Sequence, residues 1–205
     1  MSNEKKIYIL LTDTGTLFTK LIKLVTKSPM NHASISFNQE LSETYSFGRK
    51  NPVNPFVAGF VRENMEGSLF TKATCALYSC TVESSQYEQM YAHVKNIEEN
   101  KQKYKYNMLG LFGILFNFKW ERKHAFFCSQ FVASVFEQNG MNLVGKPSVL
   151  TTPGDFQHSD ALQLLFQGSL NRFHMQKCSK VSSKASSKAS KASKASKVSQ
   201  KASIA

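Results

Sequence analysis

Apolar and polar positions in the first half of the chain alternate in short runs, the pattern of half-buried strands. Ile7 to Leu11 is a brief apolar run closed by Thr12-Asp13 and reads as a buried first strand. Residues 32–37 alternate strictly. Ala33, Ile35 and Phe37 form an apolar face, and His32, Ser34 and Ser36 a polar one. Asn38-Gln39-Glu40 reads as a turn and residues 41–47 as the return strand. A hairpin centred near Gln39 gives opposite positions that sum to about 78. Ser36 then faces Ser42, Ser34 faces Thr44 and His32 faces Ser46, so the polar face is polar on both strands. Further on, residues 56–61 read as a short strand between a Pro-rich loop and a loop after Gly67, and residues 73–82 as a long one.

Helical spacing takes over in two places. Ser84 or Ser85 caps a segment running to about Asn100, with Tyr87, Met90, Tyr91, Val94 and Ile97 as its apolar stripe and His93 off the stripe, at the surface. Phe131, Val132, Val135 and Phe136 mark a second helix that begins at Cys128. Between the two lies an apolar stretch over 106–118, flanked by Lys101, Lys103 and Lys105 and by Lys119, Arg122 and Lys123. It reads as a core helix packed under the Cys128 helix; the basic flanks also suit an anionic membrane surface.

The second helix carries the first candidate chemistry. A thiol in the first turn of a helix has its pKa drawn down by the helix dipole, and the thiolate is the nucleophile. Cys128 therefore calls for a base, and His32, at a strand start beside a small polar neighbour, is the candidate. His124, four residues before Cys128, is a second histidine near the site.

The order of these features resembles a known family. Residues 17–35 carry a helical run, Pro29, then His32 at a strand start. Phe127-Cys128-Ser129-Gln130-Phe131-Val132 follows after a long gap, and Thr152-Pro153-Gly154-Asp155-Phe156 is similar to a closing Pro-containing turn. Over roughly residues 5–175 the chain resembles the circularly permuted papain-like cysteine hydrolases, the YiiX-like members of the broad NlpC-type superfamily, to which the lecithin-retinol-acyltransferase-like enzymes also belong. The resemblance implies an α+β fold with a small antiparallel sheet packed against helices, Cys128 as nucleophile and His32 as base. It implies a third group on the strand after the His, often a Glu in that family. The matching position here is Ser46, a hydroxyl that can fix an imidazole tautomer but cannot stabilise an imidazolium as a carboxylate does. Glu43 alternates onto the opposite face, and Asp13 closes the first strand.

Composition limits the alternatives. The chain of 205 residues is long enough for one well-packed domain, read as residues 1–176, and its 16 Phe bias the core toward aromatics. Cys75 and Cys80 share a strand with opposite parity and cannot bridge. With no Cys-x-x-Cys pattern, neither a disulfide framework, a zinc site nor another cofactor is expected. The first apolar run is too short for a signal-peptide core, and no run reaches the ~20 residues of a membrane span, which suggests a cytoplasmic protein. Residues 177–205 are Ser-Lys-Ala low-complexity sequence whose eight lysines, with no acid, supply most of the formal net charge of +12. Such a tail is expected to be disordered and to bind polyanions, nucleic acid or anionic membrane surface, without sequence preference. The sequence thus points to a cysteine hydrolase acting on a peptide, amide or acyl-lipid substrate. A lipid acyltransferase or phospholipase using the same residues, and a non-catalytic module with a polyanion-binding tail, are the alternatives.

Overall fold

A computed structural model of the protein describes residues 3–14, 29–51, 57–107, 110, 118–119 and 121–176. The Ser/Lys/Ala tail, most of the helical run before Pro29 and most of the 106–118 stretch lie outside the described residues. The rest is a mixed α+β structure. Its strands are β1 (Glu4–Asp13), β2 (His32–Ser36), β3 (Thr44–Arg49), β4 (Ala58–Arg62), β5 (Thr74–Glu83) and β8 (Gln163–Ser169), in the sheet order β4-β3-β2-β1-β5-β8 with every pairing antiparallel. Helix α1 (Ser84–Glu99) follows β5 directly. Two short strands, β6 (Lys105–Tyr106) and β7 (Ala125–Phe126), pair in parallel and lead into helix α2 (Cys128–Glu137). Tyr106 therefore begins its segment as a strand, not a helix.

Strand alternation sorts side chains onto two faces. On one, Ile7, Ile9, Leu11, Ala33, Ile35, Tyr45, Phe47 and Phe60 meet α1 through Met90, Val94 and Ile97, and α2 through Phe131, Val132, Val135 and Phe136. The α1 stripe is the one its periodicity predicts, although His93 is half-buried, with its pKa lowered by that burial. On the other face Leu10, Cys75, Leu77, Phe70, Leu170 and Phe173 form a second cluster. Cys75 and Cys80 fall on opposite faces, as parity requires, and both are free. Helix α2 is buried from Cys128 to Phe136, so its N-terminus is held by packing all round.

The β2–β3 hairpin is two residues wider than its sequence suggests. The strands pair Ile35 with Tyr45 and Ser36 with Thr44, so opposite positions sum to 80. The reason lies in the turn: Leu41 takes a left-handed φ of 62° and buries its side chain in the second cluster, which extends the loop to Glu43 before β3 begins. A shift of two keeps parity. The polar face survives intact, but Ser46 moves along to lie near Ser34, and Gly48 takes the place beside His32.

Candidate active site

The polar face of β2 and β3 is a buried layer with its hydroxyls satisfied. Ser34, Ser36, Thr44 and Ser46 are all fully buried. Ser36 donates to the carbonyls of Asn38 (2.9 Å) and Glu43 (3.1 Å), and Thr44 to that of Leu41 (3.0 Å). Ser34 and Ser46 converge instead on one carboxylate: Ser34 Oγ donates to Glu63 Oε2 at 3.0 Å and Ser46 Oγ to Oε1. Glu63 follows β4 immediately, and its N–H donates to the Thr44 carbonyl at 2.8 Å. Alternation then turns its side chain onto the face of Ser46 and Gly48.

Glu63 Oε1 also lies 2.6 Å from His32 Nε2, with the Glu side chain only 5 % exposed. The carboxylate partner of His32 is therefore Glu63. Ser46 acts one step back, holding the carboxylate rather than facing the imidazole. Asp13 accepts from Asn31 Nδ2 at 2.8 Å, and Glu43 accepts from Tyr91 at 3.2 Å on the α1 side, so neither is the partner of His32. Glu63 lay beyond the two strands that the sequence pattern joined. The available signal was a third strand: continuing the antiparallel order from β3 through residues 58–62 sets Glu63 opposite Thr44.

His32 and Cys128 lie close enough for each to shift the other toward its charged form. Helix α2 packs against β2 and β3 and delivers Cys128 at the first turn, where the nearby backbone N–H groups of Ser129 and Ala33 favour negative charge on the sulfur. The closing turn predicted at 152–156 supports this end. It forms a short 3₁₀ segment (Pro153–His158), and Ser129 Oγ donates to the adjacent Thr151 carbonyl at 2.6 Å.

Burial alone would raise the Cys128 pKa. The His32 imidazolium and the two backbone N–H groups outweigh it and leave the thiol below its ordinary value. Burial likewise opposes charge on His32, but Glu63 and Cys128 lift it from 6.5 to about 10. Glu63, buried yet beside the imidazolium and two hydroxyls, sits below 4.5. The three groups thus favour one charge state: thiolate, imidazolium, carboxylate.

A cleft of about 330 Å³ opens beside them, lined by His32, Tyr106, Phe47, Gly48, Thr14 and Asn31 among others. Cys128 is 2 % exposed and is not one of the residues lining the cleft. Tyr106 is brought there by the β6–β7 pairing. Burial and the Cys128 charge push its phenol up, so it stays a proton donor beside the sulfur. Gly48 is needed for close approach, because a Cβ there would stand 3.3 Å from His32 Cε1. His124, by contrast, is exposed at a φ of 57° with its ring against Tyr104, away from the cleft lining. No group of three or more His, Cys, Asp or Glu side chains that could hold a metal occurs among the described residues, and no described helix is long and apolar enough to cross a membrane.

No protein-family model matches this chain, and no curated protein is significantly similar to it.

One consequence concerns the hydroxyl clasp. Ser46→Ala removes a hydrogen bond to a buried carboxylate, which costs about 1.5–3 kcal/mol. Urea unfolding of the variant is expected to show a loss of that size with an unchanged m-value. An effect below about 0.5 kcal/mol would mean that Ser34 and His32 hold Glu63 by themselves.

Proposed function

We propose that the protein is a cysteine hydrolase that cleaves an amide or ester through a thioester intermediate. The observation that carries this reading is the Cys128–His32–Glu63 line, in which each group shifts its neighbour toward the charge state nucleophilic catalysis needs. The Cys128 thiolate attacks the substrate carbonyl carbon. The developing oxyanion is stabilised by backbone N–H groups at the start of α2, including that of Cys128. His32 then gives its proton to the departing amine or alkoxide, and the acyl group remains on sulfur. In the second half His32 takes a proton from water, hydroxide adds to the thioester, and the acid leaves as Cys128 regains its thiolate. Glu63 holds the imidazole orientation and stabilises its positive charge in both halves.

This reading agrees with the resemblance to the permuted papain-like hydrolases and supplies the carboxylate that Ser46 could not. The chain's other proposed features are a cytoplasmic setting, no cofactor, and a basic tail that contacts polyanions. The apolar cleft residues Phe47, Val61, Leu69 and Phe70 favour an acyl substrate. That keeps acyl transfer from lipid, as in the retinol-acyltransferase-like enzymes, as the second reading.

The test is the pH dependence of Cys128 alkylation by iodoacetamide. In the wild type the rate is expected to rise through a pKa below the ordinary thiol value of about 8.5. In His32→Ala the midpoint moves above that value, since burial remains and its counterweight is gone. A midpoint at or above 8.5 in the wild type, or one indifferent to His32, sinks the hydrolase reading and leaves a non-catalytic binding module on this fold. If alkylation behaves as expected, Cys128→Ser should abolish hydrolysis in an ester screen.

A further inference from the structure

We infer that the face around β6, β7 and the cleft mouth docks on an anionic lipid surface, through cations that the β6–β7 pairing gathers beside exposed apolar side chains. This concerns where the molecule sits and is independent of which bond its site breaks.

The two basic runs that flank residues 106–118 meet in the fold. Strand β6 pairs with β7 so that Lys105 lies opposite Ala125, and the Lys105 N–H donates to the His124 carbonyl at 2.9 Å. The Ala125 N–H donates to the Arg122 carbonyl at 3.2 Å, and the Tyr104 and His124 rings meet with centroids 5.0 Å apart. Tyr104 and Tyr106 pack on the aromatic core, so Lys105 between them stands on the outside, exposed. Lys101, Lys103, Lys119, Arg122 and Lys123 are exposed as well. The surface reaches the cleft at Lys50, an exposed lining residue. A Cβ on Gly59 would stand 2.8 Å from Lys50 Cε and 3.4 Å from the Tyr104 carbonyl, so the lysine stem crosses β4 beside the Tyr104 backbone.

The charge on this face is one-sided. Its seven cations share these segments with two acids, Glu99 and Glu121. Both acids are exposed, and among the described residues no ion pair joins either of them to the cations. The eleven other Lys and Arg of residues 1–176 are accompanied by twelve Asp and Glu. The positive excess of residues 1–176 therefore falls in these segments, whereas an ordinary solvated surface intersperses both signs.

Two features choose lipid over nucleic acid. Six of the seven cations are lysines. Their compact point charges suit a diffuse field of headgroups, while phosphate held at fixed geometry favours the arginine fork. Large apolar side chains are also exposed among them. Phe118 is 61 % exposed beside Lys119, and Val57 is 46 % exposed, its carbonyl accepting from the Lys50 N–H at 2.8 Å. Apolar groups set among cations match a boundary where headgroups carry charge and acyl chains begin just below.

Vesicle flotation of the full chain tests this, with vesicles of phosphatidylcholine alone and of phosphatidylcholine mixed with phosphatidylserine. The wild type is expected to bind the mixed vesicles at least about tenfold more tightly than the neutral ones, an advantage that shrinks in about 0.5 M salt. Lys103→Gln/Lys105→Gln/Lys123→Gln should lower mixed-vesicle affinity at least about tenfold, since each lysine near an anionic leaflet contributes a factor of about five. The basic tail is common to both proteins, and Lys188→Gln/Lys191→Gln/Lys194→Gln is its charge-matched control, expected to cost less. Phe118→Ala should weaken mixed-vesicle binding about threefold and leave binding to poly(U) RNA unchanged, because charge alone does not need the ring. The domain substitutions are all at exposed side chains, and a wild-type urea midpoint checks that each variant is folded. Mixed and neutral vesicles bound alike by the wild type overturn the inference. So does a domain triple that binds mixed vesicles as the wild type does while the tail triple loses them, or one whose loss appears with poly(U) and not with vesicles. None of these readings involves Cys128, so failure here leaves the hydrolase reading standing.

Discussion

Replacing Glu63 by Gln is expected to lower the rate of acyl transfer by about 10²- to 10⁴-fold while leaving the protein folded, the range found when a buried carboxylate behind a catalytic imidazole is made neutral. The amide keeps the shape and can still accept from Ser34 or Ser46, so the geometry is largely preserved. What changes is charge. Burial disfavours the imidazolium, and Glu63 is the first of the groups that overcome this and raise His32 to about 10. Without the carboxylate the His32 pKa falls, the imidazolium no longer supports the thiolate, and the Cys128 pKa climbs. The pH–rate profile of the wild type should therefore rise as the thiolate forms below the ordinary thiol pKa and fall as His32 loses its proton near 10; in Glu63→Gln the two limbs move toward each other. Stability follows the same groups. His32 is raised, so its contribution is complete below pH 6.5 and is lost as pH rises through about 10. Glu63 is lowered, so its contribution is complete above about 4.5 and is lost as pH falls through its folded value. Thermal unfolding across pH 3–11 checks both signs. A Glu63→Gln variant with wild-type turnover would remove the carboxylate from the mechanism.

Phe131→Ala should be the most damaging change away from the chemistry, at about 3–5 kcal/mol of unfolding free energy. Phe131 is fully buried in the first turns of α2. Its ring meets Phe47 at 5.1 Å, Phe60 at 5.7 Å and Phe126 at 6.4 Å between centroids. Those partners come from β3, β4 and β7, so one aromatic cluster fixes the helix that carries Cys128 to the strands that position Glu63 and Tyr106. Truncation leaves a cavity among rings that are anchored in strands and cannot collapse onto it. Urea unfolding should show the loss, and Cys128 alkylation should lose its pH signature even where the variant is folded. Phe118→Ala, at a side chain 61 % exposed, is the reference and should fall within about 0.5 kcal/mol. A Phe131→Ala loss no larger than that would mean α2 is docked by other contacts.

Much of this site is legible in the chain because its elements follow local rules. The period of two over residues 32–37 places His32, Ser34 and Ser36 on one face whatever the partner strand. The three-and-four spacing after Cys128 sets the thiol in a first turn. Parity alone separates Cys75 from Cys80. Each of these depends on the few residues nearest in sequence, and the structure keeps each of them. The register of the hairpin failed by two because one residue, Leu41, turns into the left-handed region to bury its side chain, a choice made by the second core cluster and not by the turn sequence.

The sequence by itself determined an α+β chain with a strand-borne imidazole, a thiol at a helix start and a stripe-bearing α1. Tertiary structure decided which groups share a charge. Glu63 is 31 residues from His32 and Cys128 is 96 residues from it, and neither separation has a period. They meet because β4 pairs beside β3 and because α2 packs its apolar faces across β2 and β3. A buried carboxylate is tolerated there only because two hydroxyls and an imidazolium satisfy it. Such compensation belongs to positions brought together in space, so a pattern read along the chain picked out His32 and Cys128 and missed the carboxylate between two serines.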